Sequence, residues 1–581
     1  MQLEQSPFLS LVSERRIQQT LRLMGRSADA RLTPDVAREL CQRTESAAML
    51  EGSIASLGSQ YVLGLKAVNC RTGDSLAQEQ VQAARKEDVL KALGDASTKL
   101  RGKLGESLST IEKLDTPIEQ ATTPSLEALQ AFSLGSKTLQ NGDFAAAVPL
   151  GQRAVSLDPN FAMAYALLGA DYANLGENSL AAENARKAYE LRDRVSEPEK
   201  FAIESTYYQL VTGDLEKARQ ANELWARTYP RDEGARSGLG NIYSSLGQYD
   251  KELVEFREAL RLEPTNSSDY ETLVTCYLNL NRLDEAQATA EEAPAKKLDS
   301  PSLHLNLYWL AFLQNDAARM AQQVAWSANQ PEVEDLMVNE EADTAAYYGR
   351  LEKARELSRR AVTSAQRAEK KEGAAGYEAE AAFMEAVFGN ASQARQRATV
   401  ALGLSNGRDV EYGAALALAF AGDAGHAQTL ADDLVKRFPE DTVVQFNYLP
   451  TVRAQLALIR NDSSKAIDSL QVAAPYELGA VGAGFNDFAL NPVFVRGEAY
   501  LAAHRGSEAV AEFHKILDHR GLVVNETIGA LARLGLGRAY ALSGDTAKAL
   551  TAYQDFLTLW KDADPDIPIL HQAKSEYAKL K

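Results

Sequence analysis

The chain has few cysteines and no long apolar run. Cys41, Cys70 and Cys276 are scattered and odd in number, so neither a disulfide framework nor a zinc-site spacing follows from them. We expect all three to be small buried side chains. No apolar stretch reaches the roughly 18 residues that a membrane span needs, so we predict that no segment inserts directly into a membrane.

Basic residues are outnumbered. The chain has 62 lysines and arginines against 80 aspartates and glutamates, which gives a formal net charge of −18. A general nucleic-acid binder needs a basic face that neutralises phosphates, so we expect no nucleic-acid partner. The acidity supports solubility and would also favour basic partners. The N-terminus lacks the basic start and apolar run of a signal peptide, so the sequence as it stands predicts a cytoplasmic protein.

A helical repeat of about 34 residues runs from about Ser125 to the end of the chain. Small or polar turn residues recur at intervals of 34, 37, 34, 34, 34, 34, 40, 33 and 39 positions, and a last one follows after 83 more. They are Gly142, Gly176, Gly213, Gly247, Asn281, Asn315, Gly349, Gly389, Gly422, Asn461 and Gly544. The long gap leaves room for one more unit, around Arg496 to Leu517. This period is typical of a solenoid of tetratricopeptide helix pairs.

The better copies resemble the tetratricopeptide pattern residue by residue. Glycine and alanine occupy positions where two helices approach closely, aromatic residues fill the gap to the next unit, and proline ends the second helix. The copy at 233–266 has Leu239, Gly240, Tyr243, Gly247, Tyr249, Phe256, Ala259 and Pro264. Its weak point is Glu252, where the pattern expects alanine.

The amino-terminal part has no 34-residue period. Phe8–Ser13 is predicted to be a short strand, and from Ala48 an apolar alternation of period two predicts a three-stranded antiparallel meander with turns at Gly58 and Gly73. The expected fold is mostly α, a superhelical solenoid preceded by a small, incomplete α/β domain. We predict an α/β domain at 1–115, a linker at 116–124, about twelve helix pairs at 125–565 and a capping helix at 566–581.

Parts of the chain resemble known bacterial proteins. Met49–Ile54, Tyr61–Val68 and Thr72–Asp74 are similar to the second half of a TolB-like domain. With the repeats and the phrases Tyr476–Gly479, Val495–Leu501 and Phe556–Asp562, the whole resembles the C-terminal region of acidobacterial eukaryotic-like serine/threonine kinases. The resemblance implies that a first strand and most of a helix are missing here. It also implies an extracytoplasmic location if the region is part of a membrane-anchored kinase.

The sequence carries no catalytic motif that we can identify. The glycine-rich loop, the His-Arg-Asp and the Asp-Phe-Gly of a kinase are all absent. We therefore expect no catalytic residue, cofactor or metal in this chain. The missing first strand would leave an unpaired sheet edge, which predicts a homodimer through the N-terminal domain.

An interaction surface is the function that the repeats favour. In such arrays the first helix of each unit lines a concave groove, where repeated asparagines can hold an extended peptide. The candidate groove residues are Asp171, Asn174, Arg236, Asn241, Ser245, Thr275, Asn279 and Asn306. The alternative is that they form only the polar side of amphipathic helices.

Two functions remain open at this stage. We predict a non-catalytic scaffold or sensor region that binds a protein or peptide, or alternatively the regulatory part of a serine/threonine kinase whose catalytic domain is absent. A transcriptional regulator is disfavoured, because no basic recognition helix is visible. The acidic cluster of Glu332, Glu334, Asp335, Glu340 and Glu341 is predicted to be a solvated loop, with attraction of a basic partner as the alternative.

Overall fold

The amino-terminal part is a small α/β unit. The computed structural model describes residues 2–58, 60–140, 142–296, 298, 300–328, 330, 333–479 and 490–581. The first elements are α1 (Glu14–Leu23), α2 (Pro34–Arg43), β1 (Ala48–Leu57), β2 (Gln60–Asn69), β3 (Ser75–Ala83), α3 (Val89–Lys103), α4 (Leu108–Leu114) and α5 (Ile118–Ala121). A 3-10 turn over Lys86–Asp88 precedes α3.

The sheet confirms the predicted three-stranded antiparallel meander. β2 lies between β1 and β3 and pairs with both in antiparallel register. Gly58 and Gly73 have φ angles of 65° and 80°, which a glycine adopts without steric cost. α3 packs across β2 and β3, where Ala67 and Leu100 are fully buried.

The predicted strand over Phe8–Ser13 is wrong. The hydroxyl of Ser6 accepts hydrogen bonds from the backbone N–H groups of Phe8 and Leu9, at 3.2 and 3.1 Å. The hydroxyl of Ser13 accepts one from the backbone of Arg16 at 3.0 Å and so caps α1. Local side chains thus bind the backbone at both ends of the segment, and it is not part of the described sheet.

A disulfide joins α2 to the end of β2. Cys41 and Cys70 form it with their Cα atoms 5.8 Å apart, a pairing that the spacing in the sequence did not indicate. All three cysteines are buried, as predicted, and Cys276 is unpaired.

The rest of the chain is a series of helix pairs, in which we call the first helix A and the second helix B. The pairs are α6 (Leu126–Gln140) with α7 (Phe144–Leu157), α8 (Ala162–Asn174) with α9 (Asn178–Glu190), α10 (Glu197–Tyr207) with α11 (Leu215–Thr228), α12 (Glu233–Ser245) with α13 (Tyr249–Leu262), α14 (Ser267–Asn279) with α15 (Leu283–Ala295), α16 (Pro301–Leu313) with α17 (Ala317–Ser327), α18 (Glu334–Tyr347) with α19 (Leu351–Arg367), α20 (Lys371–Val387) with α21 (Ala391–Leu404), α22 (Arg408–Phe420) with α23 (Ala424–Arg437), α24 (Leu449–Ile459) with α25 (Ser463–Leu470), α26 (Asn491–Ala502) with α27 (Gly506–Asp518), and α29 (Thr527–Leu542) with α30 (Thr546–Leu559). The short α28 (Arg520–Val523) lies between the last two pairs, and α31 (Pro568–Leu580) follows them.

The turns between helices A and B confirm the residues predicted from the spacing. Every predicted turn residue has a positive φ, from 55° at Asn281 to 94° at Gly389. The unit expected around Arg496 to Leu517 turns at His504, with φ 57°. Glycine adopts this left-handed conformation freely, and asparagine and histidine tolerate it better than most residues.

Helices A lie on the inner side of the array. Successive helices A contact one another, whereas contacts between successive helices B are sparse. Because elements on the tighter side of a curved stack lie closer together, helices A line the concave surface. Within the pair α12 and α13, a Cβ added at Gly240 would lie 2.6 Å from the ring of Phe256, which explains the glycine. Glu252, where alanine was expected, is buried, and burial raises its pKa to about 8.

The superhelix closes on itself along a line that we call the seam. There, the A-to-B turns of earlier units contact loops of units one superhelical turn later, in one case across 240 positions of the sequence. The backbone N–H of Thr442 donates to Gly213 O at 2.9 Å, and that of Asp564 donates to Gly349 O at 3.0 Å. Other seam contacts join Glu177 to Glu372, Tyr249 to Leu478, Asn281 to Asp518 and Gly521, and Phe388 to Ile569.

The amino-terminal unit packs against the first part of the array. Ser13 at the start of α1 donates a hydrogen bond to Glu263, and Arg15 donates one to Asn266. Gln19 donates to the backbone oxygen of Lys296. These partners lie in loops that lead from a helix B to the next helix A, so α1 crosses two successive units.

Replacing Gly521 with alanine should open the seam locally. An added Cβ there would lie 1.7 Å from Leu278 O, a contact that only a backbone shift relieves. We expect Gly521→Ala to lower the free energy of unfolding by about 2 kcal/mol, measured as a lower urea midpoint by circular dichroism.

Gly425→Ala is the matched control, because a Cβ at Gly425 in α23 meets nothing within 4 Å. Its stability should be unchanged or higher by less than about 1 kcal/mol. Equal midpoints for the two variants would show that the seam does not contribute to stability.

Candidate functional site

Polar side chains join successive helices A along the inner surface, and in one contact the partner is Tyr448, which directly precedes α24. We call these contacts the helix-A ladder. It comprises Ser237–Asp269 (2.8 Å), Thr275–Asn306 (3.0 Å), Tyr308–Thr344 (2.8 Å), Trp309–Glu340 (2.7 Å), Asn339–Glu380 (2.9 Å), Asp335–Tyr377 (3.0 Å) and Asp409–Tyr448 (2.8 Å). Hydrogen bonds of this kind fix the spacing of neighbouring units and leave the participating atoms less available to a ligand.

The structure brings two of the predicted groove residues together. Thr275 Oγ1 donates to Asn306 Oδ1 at 3.0 Å, and Asn306 Nδ2 donates to the backbone oxygen of Glu271 at 2.9 Å. Asn306 is only 3% exposed. Both residues therefore serve the ladder.

Two further predicted residues are buried without a hydrogen-bond partner. Asp171 in α8 is 0% exposed, and neither of its carboxylate oxygens has a partner among the described residues. Burial raises the pKa of Asp171 to about 7, since a charge there is poorly solvated. Asn279 at the end of α14 is also buried, and its Oδ1 has no partner within the same described part of the chain.

The remaining predicted residues are accessible. Asn174 and Asn241 are exposed, and Ser245 donates to Asn241 O at 3.1 Å. Asn174 Nδ2 donates to the backbone oxygen four residues earlier, at 2.8 Å. Arg236 is half-buried and forms an ion pair with Glu255 at 3.0 Å. The eight candidates thus divide into side chains used in packing and side chains that face solvent.

The prediction of a solvated loop for the acidic cluster is wrong. Glu334 to Glu341 are part of α18, and Glu332 lies outside the described residues. The Glu340 carboxylate accepts hydrogen bonds from Trp309 at 2.7 Å and Asn525 at 3.0 Å, and burial raises its pKa to about 7. The contact with Trp309 joins two helices A that are 31 residues apart, so the sequence alone did not indicate it.

Charge is divided between the two sides of the middle repeats. Helices A α18, α20 and α22 carry 11 carboxylates (5, 4 and 2) and 2 basic residues. Helices B α19, α21 and α23 carry 4 carboxylates (2, 0 and 2) and 9 basic residues (5, 2 and 2). Ion pairs join the two sides, such as Arg355–Glu385 at 2.7 Å, Arg397–Glu378 at 2.9 Å and Arg437–Glu411 at 2.8 Å. Six of the eleven helix-A carboxylates are buried, so this charge is used mainly in packing between helices and little of it faces the inner surface.

Metal sites and membrane spans are both absent from the described residues. They contain no group of three or more histidine, cysteine, aspartate or glutamate side chains arranged to hold a metal ion. Among their helices, not one combines the length and the apolar character that a membrane span requires.

Comparison with known proteins supports the assignment of the repeat. Residues 235–266 match the family model described as tetratricopeptide repeat. The match covers one repeat of the array, that of α12 and α13. The curated proteins contain no match to the chain.

The chain also matches solved structures at low sequence identity. A thermophilic tetratricopeptide protein of Thermus thermophilus is 24% identical over 33% of this chain and 99% of that chain, with a TM-score of 0.27. A chain in the crystal structure of the APC/C hetero-tetramer Cut9–Hcn1 is 14% identical over 86% of this chain and 97% of that chain, with a TM-score of 0.39. Yeast Tom70 is 14% identical over 78% of this chain and 95% of that chain, with a TM-score of 0.26.

Asp171 should make stability depend on pH. Because its folded pKa of about 7 lies above the ordinary value of 3.8, the folded state binds the proton more tightly, and stability falls as pH rises from about 4 to about 7. The free energy of unfolding should therefore decrease between pH 4.5 and pH 8. We expect Asp171→Asn to make this decrease smaller by about 2 kcal/mol, allowing for screening by nearby polar groups. Urea unfolding at pH 4.5 and pH 8 measures the difference.

The exposed Asp250 provides the control. Asp250→Asn should follow the unmodified chain at both pH values. If Asp171→Asn also followed the unmodified chain, Asp171 would not be the buried acid that the structure indicates.

Proposed function

We propose that the chain is a non-catalytic scaffold whose inner surface binds an extended, net-basic peptide or protein segment. The observation that carries the proposal is the set of exposed amide side chains on helices A that the ladder does not use. Asn174 in α8 and Asn241 in α12 are both exposed. An asparagine amide offers a donor and an acceptor side by side, which matches the N–H and C=O of an extended backbone.

The charge distribution supports a basic segment. The whole chain has a net charge of −18. Opposite charge steers a partner toward the surface and weakens with salt. The asparagine side chains would then form hydrogen bonds with the backbone of the peptide that the charge attracts.

Selection from a display library of random linear peptides tests the proposal. We expect the selected peptides to be enriched in lysine and arginine and to bind the full chain less tightly as salt is raised. Replacing both Asn174 and Asn241 with alanine should weaken the binding of the tightest peptide by about tenfold, because two hydrogen bonds to its backbone are lost without a change in charge. Fluorescence anisotropy gives the dissociation constants.

Asn184→Ala is the matched control on the outer side. Asn184 in helix B α9 donates to the backbone oxygen four residues earlier at 2.9 Å, as Asn174 does in helix A. Its replacement should leave affinity unchanged. The proposal fails if the library yields no binder, or if the double variant and Asn184→Ala bind equally well.

We further propose that two copies of the chain pair through β1. β1 is an edge strand among the described residues, because the sheet order is β1-β2-β3. Its side chains Leu50, Ile54 and Leu57 are 44%, 60% and 71% exposed. Antiparallel pairing of two β1 strands would satisfy the free backbone groups and cover part of this apolar surface.

Light scattering after size-exclusion chromatography tests the pairing. At micromolar concentration we expect twice the chain mass of 63.3 kDa, and the chain mass itself for Ile54→Lys. Leu76→Lys on β3, where Leu76 is 48% exposed, is the control and should keep the doubled mass. A single-chain mass for the unmodified protein would refute the pairing.

A further inference from the structure

A cleft lies on the seam, between the ends of α16 and α18 on one side and the later segments α27 to α30 on the other. We call it the seam cleft, and its volume is about 280 Å³. Tyr348, Arg533 and Leu559 also line a second, more open cleft of about 510 Å³, so the two clefts are adjacent. The seam cleft is therefore a concave space that exists only because the superhelix closes. Its size is near that of pockets for small ligands.

Aromatic rings form one wall of the seam cleft. The rings of Phe312 and Tyr347 meet edge to face, with centroids 5.1 Å apart and planes at 88°. Tyr347 and Tyr348 are arranged similarly at 5.3 Å and 80°. Leu517 and Leu559 contribute apolar surface from the later superhelical turn. This wall suits a flat apolar or aromatic group.

Two guanidinium groups face the same space. Arg533 Nη1 donates to the Tyr347 hydroxyl at 3.0 Å and to Gly529 O at 2.7 Å, and Arg520 donates to Leu313 O. Within the described residues neither arginine has an ion pair, and the described lining of the seam cleft includes no aspartate or glutamate. In a chain with 80 acidic and 62 basic residues, two such cations at one apolar cleft indicate a site for an anion.

The carboxylates nearby belong to the more open cleft. Asp555 and Asp562 line only that space, and Asp562 lies 4.0 Å from Arg350. Tyr348 and Arg533 line both clefts, whereas Phe312 and Tyr347 line only the seam cleft. The seam cleft keeps a cationic and apolar character.

A strained residue forms part of the wall. Val524 has φ 43°, a left-handed conformation that a β-branched residue rarely adopts. The neighbouring Asn525 anchors the segment by donating to Glu340 O at 3.1 Å and to Thr344 Oγ1 at 3.1 Å. Backbone strain of this kind concentrates at ligand sites, where the surrounding structure holds it.

We propose that the seam cleft binds a small organic acid. Its aromatic or apolar body lies against Phe312, Tyr347 and Tyr348, and its carboxylate accepts hydrogen bonds from Arg533 and Arg520. The ligand would contact both superhelical turns at once, so its binding would strengthen the seam by mass action. The site includes neither Asn174 nor Asn241, so its occupancy does not depend on a peptide partner.

Isothermal titration calorimetry of the full chain with 1-naphthoate tests the proposal, with 1-naphthamide as the neutral analogue. We expect 1-naphthoate to bind about tenfold more tightly or better, because a charge-assisted hydrogen bond is stronger than a neutral one. Arg533→Gln should weaken the binding of 1-naphthoate by about tenfold and leave the affinity for 1-naphthamide unchanged. Leu517→Trp, which fills the cleft, should weaken both compounds.

Arg257→Gln is the matched control, because Arg257 also donates to a tyrosine hydroxyl, that of Tyr277 at 2.8 Å, but lies outside the cleft. It should bind 1-naphthoate as the unmodified chain does. If Arg533→Gln does not fold, Leu517→Trp decides the result. Absence of 1-naphthoate binding, equal affinity for the acid and the amide, or unchanged binding by Leu517→Trp would each overturn the proposal.

Discussion

The hydrogen bonds of the seam join parts of the chain that are far apart in sequence and are the contacts on which the rest of the architecture depends. Asn281 illustrates them, because its side chain donates to Asp518 O at 2.7 Å and accepts from the backbone of Gly521 at 3.0 Å. A repeat array is usually stabilised by contacts between adjacent units alone. Here a second set of contacts links each of several units to one a superhelical turn later. The curvature of the inner surface and the seam cleft both follow from that closure.

The amino-terminal unit can be understood in the same terms. In the second superhelical turn, loops such as that of Thr442 receive the A-to-B turns of the first. In the first turn, the equivalent loops around Glu263, Asn266 and Lys296 receive α1 instead. The α/β unit thus occupies the place that a preceding superhelical turn would have. It covers polar loop groups that would otherwise face water, as terminal caps do in other solenoids.

Local features were predictable from the sequence, and long-range ones were not. The turns are set by residues that tolerate positive φ, so Gly142 through Gly544 could be found from spacing alone, and His504 was missed only because it is neither glycine nor asparagine. The meander was visible because its alternation and its turn glycines are local signals. The seam was not, because the contacts of Gly521 are 240 residues distant and leave no period.

The candidate groove residues show the same difference between local and long-range features. A polar residue on helix A can face the groove or the next unit, and the sequence gives no means of choosing. Asn241 faces solvent while Asn306 is bonded to Thr275, although both are asparagines on equivalent helices. The burial of Asp171 depends on its neighbours in space, which the 34-residue pattern does not specify. The disulfide of Cys41 and Cys70 likewise depends on the fold of the small domain.

Closure of the seam gives the superhelix the mechanical properties of a spring whose coils already touch. Such a spring cannot be shortened, because Gly521 and Leu278 are in contact and have no gap to close. The superhelix can only be stretched. Stretching has to break the seam hydrogen bonds between superhelical turns before neighbouring helix pairs begin to separate. The array should therefore be stiff under small loads and compliant once the first seam contacts are lost. A force threshold of this kind is absent from an open solenoid, which extends smoothly from the start.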